Sequence, residues 1–359
     1  MRIDQVIPSL ASRDAIGQHT VELMHALREA GIESDIFYGS CTPDLQDQAR
    51  PMVTMGRTVR DRYLLYQSSI GSHVFDQLMI REEPKLVNYH NITPGSLVEA
   101  WEPQVGYEVR LGRAQLERLV PHTSVAVADS AFNARELEAM GASRPAVVPL
   151  LIDMTTTGAE PDRGVLERLA KAKAEGGADL LFVGKVSPHK ASHDLVKMLA
   201  VYRKVFDRHA RLHLVGSALG KRYLPALMSF VAELGLGHAV SVTGSVPASA
   251  LEAYYRSADV FVCASDHEGF CVPIVEAMGR GVPVVAFRSS AVPETVGDAG
   301  ILLDTKEPLR FAAAVAAVTG DDQVRRHLVE AGTTRVRREF ALERSRRSFV
   351  ALLAERLSA

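Results

Sequence analysis

Short apolar runs alternate with amphipathic helical stretches along nearly the whole chain, and this alternation constrains the fold more than any single motif. Residues 3–7, 34–37, 86–89, 125–128 and 146–151 read as buried strands. Helical stretches lie between them. Over 19–30, Val21, Met24 and Leu27 share one face, and Gly31 follows as a C-cap. Ser130 is placed to cap a helix over 131–140 that stops at Gly141. Such alternation predicts a parallel sheet with helices on both faces. Residues 155–164, rich in turn formers, predict a hinge. The pattern then restarts, with strands over 180–183, 212–215, 242–243, 260–263, 282–286 and 301–303. Helices over 194–206 and 248–257 separate them, and helical segments over 323–339 and 342–357 follow. The chain therefore reads as two doubly wound Rossmann-like α/β domains, 1–153 and 154–341, with a further helix over 342–359. Its 359 residues suit two domains of ordinary size. Ligands of open α/β sheets bind beyond the carboxyl ends of the strands. Two such sheets facing one another predict a site in the cleft.

Composition removes several function classes. The formal net charge is −2, which argues against a nucleic-acid partner. Three cysteines without a C-x-x-C argue against a disulfide framework and a cysteine zinc site, and fit a reducing cytoplasm. The first residues, MRIDQVIPSL, do not read as a signal peptide. The longest purely apolar run is 311–318, against the roughly 18 residues that a membrane span needs. The expectation is a cytoplasmic protein with room for peripheral contact at the inner face of a membrane. Arg57, Arg60 and Arg62 form the cluster that could meet an anionic acceptor or lipid headgroups, although a solvated helix face accounts for it as well. From Arg325 onward nine Arg stand against four Glu, a basic tail that also reads as a solvated face.

Two strand-end loops carry the chemistry. After the strand over 260–263 comes Ser265-Asp266-His267-Glu268-Gly269-Phe270-Cys271-Val272-Pro273, and Pro273 suits the first turn of a helix that contains Glu276. A helix N-terminus offers unpaired N–H groups and partial positive charge to an anion. Two carboxylates at E-x7-E spacing flank that anion site and suit sugar and ribose hydroxyls. After the strand over 180–183 comes Gly184-Lys185-Val186-Ser187-Pro188-His189-Lys190, whose two lysines can converge on a diphosphate.

The E-x7-E pair, the Gly-Lys-(x4)-Lys loop, the run Gly281-Val282-Pro283-Val284-Val285-Ala286 and the stretch Pro293-Glu294-Thr295-Val296-Gly297-Asp298-Ala299-Gly300 together resemble glycosyltransferase family 4. These are retaining, nucleotide-sugar-dependent enzymes of the GT-B fold. The resemblance spans roughly residues 180–304 and is weaker in the first domain, where Gly17 at a helix start and His90 after a strand fit the pattern. It implies that Glu268 holds donor-sugar hydroxyls and Glu276 holds the ribose. Lys185 and Lys190 neutralise the diphosphate. The amides of Gly269, Phe270, Cys271 and Val272 line sugar and phosphate, and Gly244 to Val246 lies near the base. Gly17 lets backbone approach the phosphates, and His90 faces the anomeric centre and the sugar 6-position. The final helix crosses back onto the first domain, and hinge closure brings donor and acceptor together.

The chain departs from the family in four places. Lys185 stands where Arg is usual, Ile16 precedes Gly17 where Gly-Gly is common, Cys271 stands where Gly is common, and Ser289-Ser290-Ala291 replaces Gly-Gly before Pro-Glu. Other motifs fail. Gly216 to Lys221 falls one residue short of a P-loop, and no G-x-G-x-x-G or G-x-S-x-G is placed to act. His189 and His193 lack a third ligand, and no D-x-D is present. The reading is thus a retaining hexosyltransferase with no metal and no cofactor beyond its nucleotide-sugar donor. Its acceptor is a hydroxyl of a saccharide or lipid-linked molecule, with a mannosyltransferase of surface polysaccharide or glycolipid assembly as the leaning. A nucleotide-sugar epimerase of the same fold and a non-catalytic nucleotide-sugar-binding protein stay open, as does the oligomeric state.

Overall fold

The computed structural model describes residues 1–12, 14–154 and 159–358. Two compact units divide the chain. One comprises Met1–Ser96, Gln104–Ile152 and the residues from Ala341 on, and the other comprises Leu97–Pro103 and Asp153–Phe340. Residues 155–158, the first part of the expected hinge, lie outside the described residues.

The first unit is a seven-stranded sheet, all parallel, built from β1 (Arg2–Leu10), β2 (Ile36–Cys41), β3 (Arg50–Pro51), β4 (Arg62–Ser68), β5 (Lys85–Tyr89), β6 (Thr123–Ala128) and β7 (Ala146–Val147). Its order is β3-β2-β1-β4-β5-β6-β7. The inner strands are buried on both faces, and polar residues within them, such as Asp4, Gln5 and Gln67, are buried with partners inside the sheet. One core cluster joins Ile3, Leu65, Leu86 and Val127 of the sheet to Leu23 and Leu27 of the helix Ala15–Glu29. Phe349 and Leu353 of the helix Leu342–Ser358 complete that cluster, which places this last helix in the first unit.

The structure corrects one expectation here. Arg62 begins β4, a central strand, rather than lying on a solvated helix. Its guanidinium stands 3.2 Å from the Asp4 carboxylate and 3.6 Å from that of Glu83. Asp4 is fully buried and also takes Arg2, so these arginines serve as counter-charges inside the fold. Arg57 and Arg60 are exposed in the loop before β4.

The second unit carries a six-stranded sheet, again all parallel, from β8 (Asp179–Val183), β9 (Arg211–Val215), β10 (Val240–Val242), β11 (Val260–Cys263), β12 (Val284–Phe287) and β13 (Gly300–Leu303). Its order is β10-β9-β8-β11-β12-β13, and the switch point falls between β8 and β11. Leu180, Phe182, Leu212, Leu214 and Val262 form its core with Leu195 and Leu199 of the helix Ser192–Val205. Residues Leu97–Pro103 join this unit through specific contacts. The Glu102 carboxylate accepts the amides of Lys221 at 2.9 Å and Arg222 at 2.8 Å, at the head of the helix Tyr223–Glu233. Trp101 meets the Tyr223 ring edge-on at 5.4 Å.

Candidate active site

The strand ends of the second sheet hold most of the expected residues. Lys190 closes a short 3-10 turn, Pro188–Lys190, after β8, and Glu268 sits on the loop after β11. These strands flank the switch point, so residues 78 apart in sequence meet: Lys190 Nζ lies 2.7 Å from Glu268 Oε2. Burial opposes the Lys190 charge, but Glu268 outweighs it and holds the ammonium above its ordinary range. Lys185 lies exposed on the same loop. His189 is buried beside them and is pulled down to about 2 by burial, then by Lys190, His267 and Lys185, so it stays neutral. His189 and His193 share no metal-ligating cluster among the described residues; His193 instead bonds the Tyr223 hydroxyl at 2.9 Å.

The loop from Glu268 to Cys271 is held from outside. The Glu268 amide donates to Ser290 Oγ at 2.7 Å, and Thr295 donates to the Phe270 carbonyl. Ser290 has φ of +44° and Cys271 has φ of +71°, both left-handed conformations that favour glycine. The departures at Cys271 and Ser289-Ser290-Ala291 thus keep the backbone shape that glycine would give, and add a thiol and a hydroxyl. Cys271 leads into the helix Val272–Gly279, whose first amides follow Gly269 and Phe270 around the loop.

Glu276 lies on that helix. Its Oε2 accepts the Tyr255 hydroxyl at 2.7 Å. Burial raises its carboxyl above the ordinary range, while the Tyr255 hydroxyl and Arg280 act in the opposite direction. Arg280 stacks over the Tyr255 ring at 4.8 Å and pairs with Glu252 at 2.9 Å. Tyr255, the residue that orients Glu276, escaped sequence reasoning because it reads as an ordinary apolar position on the helix Ala248–Ser257.

Three glycines end adjacent strands. The Gly184 amide bonds the Val215 carbonyl at 3.0 Å, and the Gly216 amide bonds the Gly244 carbonyl at 3.1 Å. A Cβ on Gly216 would stand 2.1 Å from the Gly184 carbonyl oxygen, so only glycine lets these strand ends close up. The near P-loop at Gly216 is therefore a packing feature. Gly244, with φ of +69°, starts the turn that leads to the half-buried Val246.

The two expected residues of the first unit are tied into its own structure. A Cβ on Gly17 would stand 2.1 Å from the Ala11 carbonyl oxygen, so this glycine lets the helix Ala15–Glu29 pack against the loop after β1. His90, at the end of β5, is 1% exposed at its side chain. Its Nδ1 lies 2.9 Å from the Asp129 carboxylate and its Nε2 lies 2.7 Å from Gln67 Oε1. Gln67 Nε2 donates to Gln5 Oε1, and Gln5 Nε2 donates to the Thr20 carbonyl. That chain fixes each amide, so Nε2 of His90 must donate and Nδ1 faces the carboxylate with a proton between them. Burial raises the Asp129 carboxyl, and His90 opposes that rise. Asp129, expected to mark a helix entry, is thus the partner of His90. His19, also unforeseen, meets the His90 ring edge-on at 5.0 Å and accepts the Leu151 amide on Nδ1. Burial, then His90, keeps His19 neutral.

Two parallel-sheet units with a lysine, two carboxylates and a helix N-terminus around one switch point define a glycosyltransferase of the GT-B class. Solved structures share the fold. Anabaena Alr3699/HepE in complex with UDP and glucose matches with a TM-score of 0.75 at 16% identity, covering 99% of this chain and 100% of the other. A sucrose-phosphate synthase from Thermosynechococcus elongatus matches with a TM-score of 0.75 at 17% identity, covering 100% and 99%. Residues 167–335 match the family described as glycosyl transferases group 1. A D-inositol 3-phosphate glycosyltransferase of Geodermatophilus obscurus is 33% identical over 396 residues, spanning 96% of this chain and 85% of the relative. One from Nocardia farcinica is 32% identical over 219 residues, spanning 58% and 48%. The chain belongs to the group 1 glycosyltransferases. No helix among the described residues is long and apolar enough to cross a membrane.

Proposed function

We propose that the chain transfers a hexose from a nucleoside-diphosphate sugar to a hydroxyl acceptor with retention of anomeric configuration and without a divalent metal. The observation that carries the reading is the Lys190–Glu268 pair at 2.7 Å beside the N-terminus of the helix Val272–Gly279. The helix amides and Lys190 suit a diphosphate, and Glu268 suits sugar hydroxyls. Glu276, with one oxygen on Tyr255, offers its other oxygen to a ribose. Lys185 is the second cation for the leaving group, and a turn at Gly244 to Val246 suits the base.

Retention follows from which groups have lone pairs to give. An inverting reaction needs a general base to activate the acceptor. His90 donates from Nε2 and shares its other proton with Asp129, so it has no such lone pair. Its duty is positioning. Glu268 is engaged with Lys190, which argues against a free nucleophile beneath the anomeric carbon. The departing diphosphate then takes the acceptor proton itself, helped by cations that stabilise its growing charge.

The relatives named D-inositol 3-phosphate glycosyltransferase make a phosphorylated polyol the first acceptor to try. A thermal-shift screen over UDP-, GDP- and ADP-sugars identifies the donor, since a ligand of the folded state raises Tm. Proton NMR of the product, run with and without chelator, reads the anomeric coupling. An inverted linkage overturns the reading, as does activity lost to EDTA and restored by manganese. An epimer formed from donor alone would favour an epimerase, and binding without transfer to any acceptor would favour a non-catalytic module.

A further inference from the structure

Cys263, at the end of β11, and Cys271, at the head of the helix Val272–Gly279, lie eight residues apart around the loop that carries Glu268. Their two sulfurs and a Glu268 oxygen all lie within 4.8 Å of one another, and all three residues are buried. Tetrahedral zinc, with bonds of about 2.3 Å to sulfur and 2.0–2.2 Å to carboxylate oxygen, places such ligand atoms about 3.6–3.8 Å apart. Closing the set therefore asks each ligand to move by no more than about 1 Å. Cys271 holds a left-handed φ that favours glycine, so its thiol is present at a conformational cost of about 1 kcal/mol or more.

We propose that Cys263, Cys271 and Glu268 form a site for a thiophilic divalent cation of the zinc type, and that this cation excludes the nucleotide-sugar donor. The exclusion rests on the donor reading above, because the cation would take the Glu268 carboxylate that faces Lys190 and the sugar. Binding releases two protons: a divalent cation, two thiols and one carboxylate give one bis-thiolate, mono-carboxylate complex of charge −1. Lys190 supplies the balancing positive charge, so the buried group is neutral before and after. Lys190 also acts on both thiols, favouring their deprotonated forms. Sequence spacing concealed the set, since a C-x7-C divided between a strand end and a helix start matches no zinc signature.

The test titrates Cd2+ into the reduced, chelator-stripped full chain and follows the ultraviolet thiolate-to-cadmium charge-transfer band. One equivalent should develop the band. Cys263→Ala and Cys271→Ala should each abolish it, and Cys41→Ser should keep it. Circular dichroism checks that each variant is folded. Absence of the band in the wild type, or its survival in Cys263→Ala, overturns the site. Donor binding is then measured by calorimetry. At cadmium ten times its own Kd, mutual exclusion raises the apparent donor Kd about elevenfold. Cys263→Ala should show no such rise, which separates site occupancy from chelation by the donor. An unchanged donor Kd in the wild type overturns the exclusion while leaving the site. Failure of every donor to bind without cadmium defeats the donor reading and leaves the spectroscopic result standing.

Discussion

At the scale of single residues, Lys190 and Glu268 depend on one another for stability as well as for chemistry. Their side chains are 21% and 8% exposed, so removing one leaves the other charge largely out of water. Breaking such a pair costs about 3 kcal/mol, whereas replacing both members together costs far less. Lys190→Ala should therefore lower Tm and turnover, and Lys190→Met with Glu268→Gln should recover Tm without recovering turnover. Differential scanning calorimetry beside a transfer assay decides it; a double variant as unstable as the single one would refute the pairing. Glu276→Ala should weaken donor binding by one to two orders of magnitude, since hydrogen bonds to charged groups are worth about 1.5–3 kcal/mol. An unaltered donor Kd would remove Glu276 from the site. Its pH dependence has a definite sign. Burial raises the Glu276 carboxyl, so it loses its charge at a higher pH than an ordinary carboxyl would. Donor affinity should fall as pH drops through that raised value, and calorimetry on Glu276→Gln should show this limb gone, since an amide does not titrate. The fold holds this proton more tightly than the unfolded chain does. The group's contribution to stability is therefore present at low pH and lost as pH rises through the folded value. Loss of affinity in acid would thus not be unfolding at Glu276.

Among the elements, the strands that sequence reading located are short segments dominated by apolar residues, the clearest being β8 and β11, buried on both faces. It missed β4 because RYLLYQS begins with an arginine and ends with polar residues, and those residues serve the buried ion pairs and the Gln67–His90 chain. It missed β3 because two residues carry no period. The site was legible where a loop follows a strand, which is how Lys190, Glu268 and Glu276 came forward. Their mutual contacts were not, because 78 residues separate Lys190 from Glu268, and 39 separate His90 from Asp129. Only the strand order brings such residues together. The glycine strand ends are testable at this scale. Gly216→Ala puts a methyl 2.1 Å from the Gly184 carbonyl at a φ of +146°, where backbone strain alone costs about 1–3 kcal/mol. Tm should drop sharply, and a Tm within a degree of wild type would show that β8 and β9 can part without penalty.

For the whole molecule, the first unit is closed by a helix encoded after the second. Phe349 and Leu353 are fully buried in the cluster with Ile3, Leu23 and Leu65. Phe349→Ala should destabilise this unit by about 3–5 kcal/mol, and hydrogen exchange should show lost protection in β1 and β4 while β8 and β11 keep theirs. Uniform loss in both sheets would contradict two separate cores. The same feature orders events at the ribosome. Residues 1–152 leave the exit tunnel with the helix Ala15–Glu29 on that face of their sheet but the seat of Phe349 and Leu353 uncovered, and 188 further residues, Asp153–Phe340, are made before the last helix arrives. At about 5–20 residues per second, the nascent chain carries that greasy surface for roughly ten to forty seconds. The second unit, contiguous apart from Leu97–Pro103, can fold during this wait, before the helix that completes the first unit is made. Chaperone demand during synthesis should therefore centre on the early half of the chain.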